Sequence, residues 1–148
     1  MRLFLALLIA LAAVAGCSSS TSDPYGEQAA EAQAALLDEY SRYVAAIESD
    51  KAVLEKYLAK WNILIEQYNK GGSVDFSDLE ASQRDYADQA NLMKPKVASL
   101  KSFMDKNEAA LKPAGIDVFA ERQELDTLVA SVDNNVRNMQ AELEKLKS

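Results

Sequence analysis

The chain has 148 residues with one cysteine, no histidine, three prolines and five glycines, and it sets 16 basic against 23 acidic side chains. That length admits one modest domain. The missing histidine excludes Ser-His-Asp and Cys-His nucleophiles, imidazole-bound metal and a histidine pH switch, while the net charge of −7 argues against nucleic acid as a partner.

Residues 1–16 read MRLFLALLIALAAVAG, an early Arg followed by thirteen uninterrupted apolar residues from Leu3 to Ala15. As a helix this run would reach only ~20 Å, short of the ~30 Å hydrocarbon core of a bilayer. A positive start, a short apolar run and small residues before a cut are the pattern of an export signal. The run ends in Val14-Ala15-Gly16-Cys17, which resembles the lipobox of prokaryotic lipoprotein precursors. The resemblance implies cleavage between Gly16 and Cys17 and diacylation of Cys17. As the lone cysteine, Cys17 has no intramolecular disulfide partner, and the Ser18–Ser22 run after it is a polar tether. The chain is thus expected on a membrane, facing away from the cytoplasm. With Ser18 after the lipidated Cys, the family's sorting habit implies the outer membrane in a cell with two, and otherwise the outer face of the cytoplasmic membrane. Processing removes one Arg and no acid, leaving 132 residues with 15 basic against 23 acidic groups, a net −8.

The expected organisation is a signal over 1–16, a lipidated Cys and tether over 17–26, and a bundle over 27–148. The first helix, expected over about 27–69, carries Leu37, Tyr40, Val44, Ile47, Lys51, Leu54, Leu58, Trp61, Ile65 and Tyr68 in alternating steps of three and four. Asp23-Pro24 offers a start that Gly26 weakens, moving the expected boundary to Glu27. Lys70-Gly71-Gly72-Ser73 ends the helix, with glycine free for a left-handed terminal residue. Ser77 and Glu80 then form a capping-box pattern with Phe76 and Ala81 placed as a staple, predicting a second helix over about 77–111.

The second stripe runs Leu79, Gln83, Tyr86, Ala90, Met93, Val97, Leu100, Met104, Asn107 and Leu111. Pro95 interrupts the backbone hydrogen bonding, yet Met93 and Val97 keep phase across it, so the helix is expected to continue. Lys112-Pro113-Ala114-Gly115 breaks it and Asp117 caps a third helix over about 117–147. That helix carries Val118, Arg122, Leu125, Val129, Val132, Val136, Met139, Leu143 and Leu146, broadened by Phe119 and Leu128. No segment alternates with period two.

Three stripes of matched length with short connections predict an all-α fold, an elongated antiparallel three-helix bundle with coiled-coil-like packing. A monomer is favoured over a coiled coil completed by a second chain. Setting Tyr68 level with Leu79, and Leu111 level with Val118, places Tyr40, Asn107 and Arg122 in one layer and Lys51 beside Asp133. The aromatics Tyr40, Tyr57, Trp61 and Tyr68 follow the core stripe, so packing is preferred to an aromatic cage. The acids Asp75, Asp78, Glu80, Asp85 and Asp88 lack calcium-loop spacing and read as solvated charge near a helix start.

There is no Gly-rich phosphate loop, cysteine pair or paired-carboxylate motif. The expectation is therefore no enzyme, no cofactor and no metal. The loop farthest from the anchor, with Ser73, Val74 and Asp75 taken as exposed, is the candidate contact for an envelope protein partner. The alternative is a module that binds a ligand or peptide in a groove between helices.

Overall fold

The computed structural model describes residues 24–147; the signal, Gly16, Cys17 and the Ser-rich tether lie outside them. The described chain is three helices, α1 (Pro24–Asn69), α2 (Phe76–Leu111) and α3 (Val118–Lys147), with a 3-10 turn at Lys112–Ala114. No strand occurs among the described residues, and α2 packs against both α1 and α3. The expected all-α three-helix bundle is the fold. No helix among the described residues is long and apolar enough to cross a membrane.

Three local expectations need correction. Helix α1 starts at Pro24, ahead of Glu27, because proline's fixed φ suits a first turn and the exposed Gly26 does not interrupt it. The Ser77/Glu80 capping box does not form: α2 begins at Phe76, and Asp75 at the N-cap makes no side-chain cap bond. Phe76 packs against the core and Glu80 is held by Lys147 at 2.8 Å, which draws the first turn forward. Phe119 does not broaden the third stripe; it is 80% exposed. The other local signals match. Asp117 caps α3, its Oδ1 accepting the N–H groups of Phe119 and Ala120 at 3.1 Å each, and α2 runs through Pro95 unbroken.

The core follows seven-residue steps, as supercoiled packing requires. On α1 the buried series is Tyr40, Ile47, Leu54 and Trp61. On α3 it is Val118, Leu125, Val132 and Met139. Helix α2 buries two such series, Leu79-Tyr86-Met93-Leu100 and Ala90-Val97-Met104-Leu111, because it faces a neighbour on each flank. Tyr57 and Tyr68 pack half-buried against this core, so Tyr40, Tyr57, Trp61 and Tyr68 serve as packing residues.

The expected antiparallel register holds to within a turn. Between α1 and α2, Tyr43 meets Phe103, Asp50 meets Lys96 at 2.7 Å, and Lys60 lies 4.0 Å from Asp85. Between α2 and α3, one edge carries Glu80–Lys147 (2.8 Å), Lys94–Asp133, Lys101–Asp126 (2.5 Å) and Asp105–Arg122 (2.5 Å). Lys51, expected beside Asp133, pairs with Glu48 one turn away at 3.4 Å, since Lys94 already holds Asp133.

The α2 charges of this ladder read acid, base, base, acid along the helix. Sliding α3 by seven residues in either direction would leave a single one of the four facing an opposite charge. Exposed pairs are worth only ~0.2–1 kcal/mol each, so the ladder selects a register that burial alone would leave degenerate. Asp126→Lys is expected to cost about 1 kcal/mol and lower the melting temperature by about 3–5 °C. Adding Lys101→Asp should recover most of that loss in thermal melts at low salt.

Candidate functional site

The loop between α1 and α2 is a tight turn. Gly71 has φ of 72° and its N–H donates to the Tyr68 carbonyl at 3.0 Å; the Gly72 N–H donates to the Gln67 carbonyl at 2.9 Å. A Cβ on Gly72 would fall 2.8 Å from the Gln67 carbonyl oxygen, so the turn tolerates no side chain there. Ser73 and Asp75 are exposed as expected, but Val74 is half-buried and packed on the core. The tip therefore offers a partner two small polar side chains and no apolar anchor. Of the acids grouped near the start of α2, Glu80 pairs with Lys147 and Asp85 lies near Lys60; no metal-holding cluster is present among the described residues.

A more developed surface lies along the α1–α2 seam. Two adjoining open concavities of about 480 and 440 Å³ share Glu39, Tyr43 and Ser99 and together make one shallow groove. Its floor is the tilted pair of Tyr43 and Phe103 rings, whose centroids are 5.4 Å apart. Leu36 and Ala46 extend the apolar strip along α1, while Pro95 and Lys96 form the rim on α2. Ser102, Lys106 and Asn107 complete that wall, and the Asn107 amide donates to the Phe103 carbonyl at 2.8 Å.

The groove's charges are mostly basic in an acidic chain: Arg42, Lys96 and Lys106 against Glu39. Lys96 is committed to Asp50, a buried carboxylate that also accepts from Gln89 Nε2 at 3.0 Å. Arg42 pairs with exposed Asp38 through one turn of α1, a contact readily exchanged. Lys106, Glu39, Ser99 and Ser102 have no side-chain hydrogen bond or ion pair among the described residues. The arrangement can hold an apolar group over two rings with an anionic group beside it.

The layer expected at Tyr40, Asn107 and Arg122 also carries the chain's main perturbed acid. The buried Tyr40 hydroxyl donates to the Glu121 carboxylate of α3. Burial pushes the Tyr40 phenol well above its ordinary value, reinforced by the charges of Glu121 and Glu124 and by the bond to Glu121. Burial also raises Glu121, against the bond from Tyr40, with Glu124 and Asp117 adding to the rise. A carboxyl raised on folding contributes stability that is complete below its unfolded pKa and is lost as pH rises through the folded one. Glu121→Gln should therefore change little near pH 4 and stabilise the chain at pH 7. Denaturant midpoints at the two pH values measure that widening gap.

A groove between helices is the alternative expectation, but its residues escape sequence reasoning because Tyr43 sits on the flank of its stripe and Phe103 lies one residue off the second stripe, beside Met104. The adjacent apolar pair Phe103-Met104 was the available signal, marking a stripe wide enough to face two directions. Compared with known proteins, the chain matches no family model, no curated protein and no solved structure.

Proposed function

We propose that this chain is a lipid-anchored, extracytoplasmic helical protein that holds a protein partner at the cell envelope. The observation that carries the reading is Val14-Ala15-Gly16-Cys17 at the end of a short apolar run, with a Ser-rich tether leading into α1. Six residues separate Cys17 from Pro24, a reach of at most ~25 Å, so an anchored Cys17 keeps the start of α1 near the membrane. Gln33 Nε2 donates to the Ala110 carbonyl at 2.9 Å, which marks where α1 joins the body of the bundle. The residues before it, 26–32, are all exposed and project roughly 14 Å with Pro24 and Tyr25 counted. Such a projection would hold the body off the surface. Two or more acyl chains are needed for stable attachment, and a diacylated Cys17 meets that need.

The test is expression of the precursor in a bacterium fed labelled palmitate, followed by fractionation and intact mass. The expected product starts at Cys17, carries label and stays with the membrane, while Cys17→Ser loses the label. An unmodified Cys17 in the membrane-extracted chain overturns the reading. Binding of a peptide between helices is a second reading, favoured by the aromatic-floored groove of α1 and α2.

A further inference from the structure

We propose that the α1–α2 groove is a docking site for an amphipathic α-helix of a partner protein, apolar on one stripe and carboxylate-bearing on its flanks. The proposal rests on the envelope reading only for where that partner is met. A helix laid along two antiparallel helices would complete a four-helix packing, with its apolar stripe over Tyr43 and Phe103. Its flanks would then pass Arg42 on the α1 wall and Lys106 on the α2 wall. In a chain of net charge −7, and with Lys96 taken up by Asp50, the lining still sets two basic groups, Arg42 and Lys106, against the single acid Glu39, the reverse of the overall balance. Lys106, Ser99 and Ser102 are donors left unused among the described residues. Glu39 breaks the pattern and would take a donor from the incoming helix.

The groove also holds two places where the bundle departs from stable helix-packing rules. Pro95 lies on its rim, mid-helix and exposed, where alanine would suit the backbone better. Next to it, Lys96 reaches down to a carboxylate buried between α1 and α2. A proline without an N–H leaves the Asn91 carbonyl without its helical donor. Departures of this kind collect at functional surfaces.

The test uses two labelled 18-residue helical peptides with the same Leu/Phe stripe, one flanked by Glu and one by Lys, titrated onto the full chain in detergent. The Glu peptide is expected to bind at least tenfold more tightly, against the pull of the chain's net charge. Arg42→Glu with Lys106→Glu, both exposed and so harmless to folding, should abolish that preference. Tyr43→Ala should weaken the Glu peptide at least fivefold at unchanged helical signal. Equal binding, tighter binding of the Lys peptide, or a preference that survives the double charge reversal overturns the proposal. So does light scattering that shows a dimer broken by the same reversal, since a second copy would then occupy the groove. Binding with an unmodified Cys17 would leave the groove standing and remove the anchor; an anchored chain that binds neither peptide removes the groove alone.

Discussion

Replacing Leu100 with alanine should destabilise the folded chain by about 2–5 kcal/mol, a large part of the ~5–15 kcal/mol that holds a domain of this size together. Leu100 is 1% exposed and lies on the face of α2 shared with Tyr86 and Met93. Truncation removes buried apolar surface and leaves a void into which the surrounding core side chains collapse only in part. Leu92→Ala supplies the control on the same helix. Leu92 is 60% exposed, so its loss should stay within about 0.5 kcal/mol. Urea denaturation followed by helical signal measures both. Equal costs would mean that α2 does not face its neighbours through the Leu79-Tyr86-Met93-Leu100 series.

A second consequence concerns Ser82, whose hydroxyl is fully buried and has no hydrogen-bond partner among the described residues. An unsatisfied buried hydroxyl costs about 1–3 kcal/mol. Ser82→Ala should raise the urea midpoint, where a polar residue kept for a hidden partner would lower it.

Periodicity made the bundle legible. One heptad series of each stripe, through Ile47, Met93 and Val132, is buried, while the alternate series on α1 and α3, with Val44, Leu58, Val129 and Val136, is half-buried, because seven-residue spacing holds each series at one depth along the helix. Local chemistry marked the breaks as well: Gly71 and Gly115 take positive φ where the helices end, and Asp117 caps α3. Depth at the flanks was not legible. Asp50 lies one heptad from both Tyr43 and Tyr57, off the central stripe, and is buried only because Lys96 and Gln89 of α2 come to meet it. Phe119 shows the converse. It is apolar and next to buried Val118, yet it stands in the first turn of α3 on a side of the helix that no other described helix covers. The groove over Tyr43 and Phe103 depends on how far α1 and α2 are rotated toward each other, a property of the pair that neither segment carries alone. At the distal tip Ser73 and Asp75 are exposed, but Val74 is half-buried against the core where α2 starts at Phe76, a depth that depends on the pair of helices in the same way.

Pro95→Ala should raise the stability of the chain by roughly 1–3 kcal/mol, toward the full helix-interior penalty of proline against alanine. Pro95 is exposed, so no packing is lost, and an alanine N–H restores the bond to the Asn91 carbonyl. Met93 and Val97 are buried on either side of the proline, so α2 is already in phase and needs no re-registration to accept the new bond. The gain is held below its ceiling by the neighbouring Lys96, whose ammonium is 2.7 Å from the buried Asp50 carboxylate, so the ion pair resists any backbone adjustment at residue 95. Asp50→Leu removes that restraint and the burial of a charge together. In an Asp50→Leu background, Pro95→Ala should therefore give a larger increment than in the natural chain, a positive coupling that a double-mutant cycle reads directly. Pro95 costs stability on the rim of the groove, so its replacement tests whether that cost serves binding. If the stabilised Pro95→Ala chain binds the Glu-flanked peptide more weakly, the lost stability has a function. If binding is unchanged, the proline belongs to the course of α2 alone.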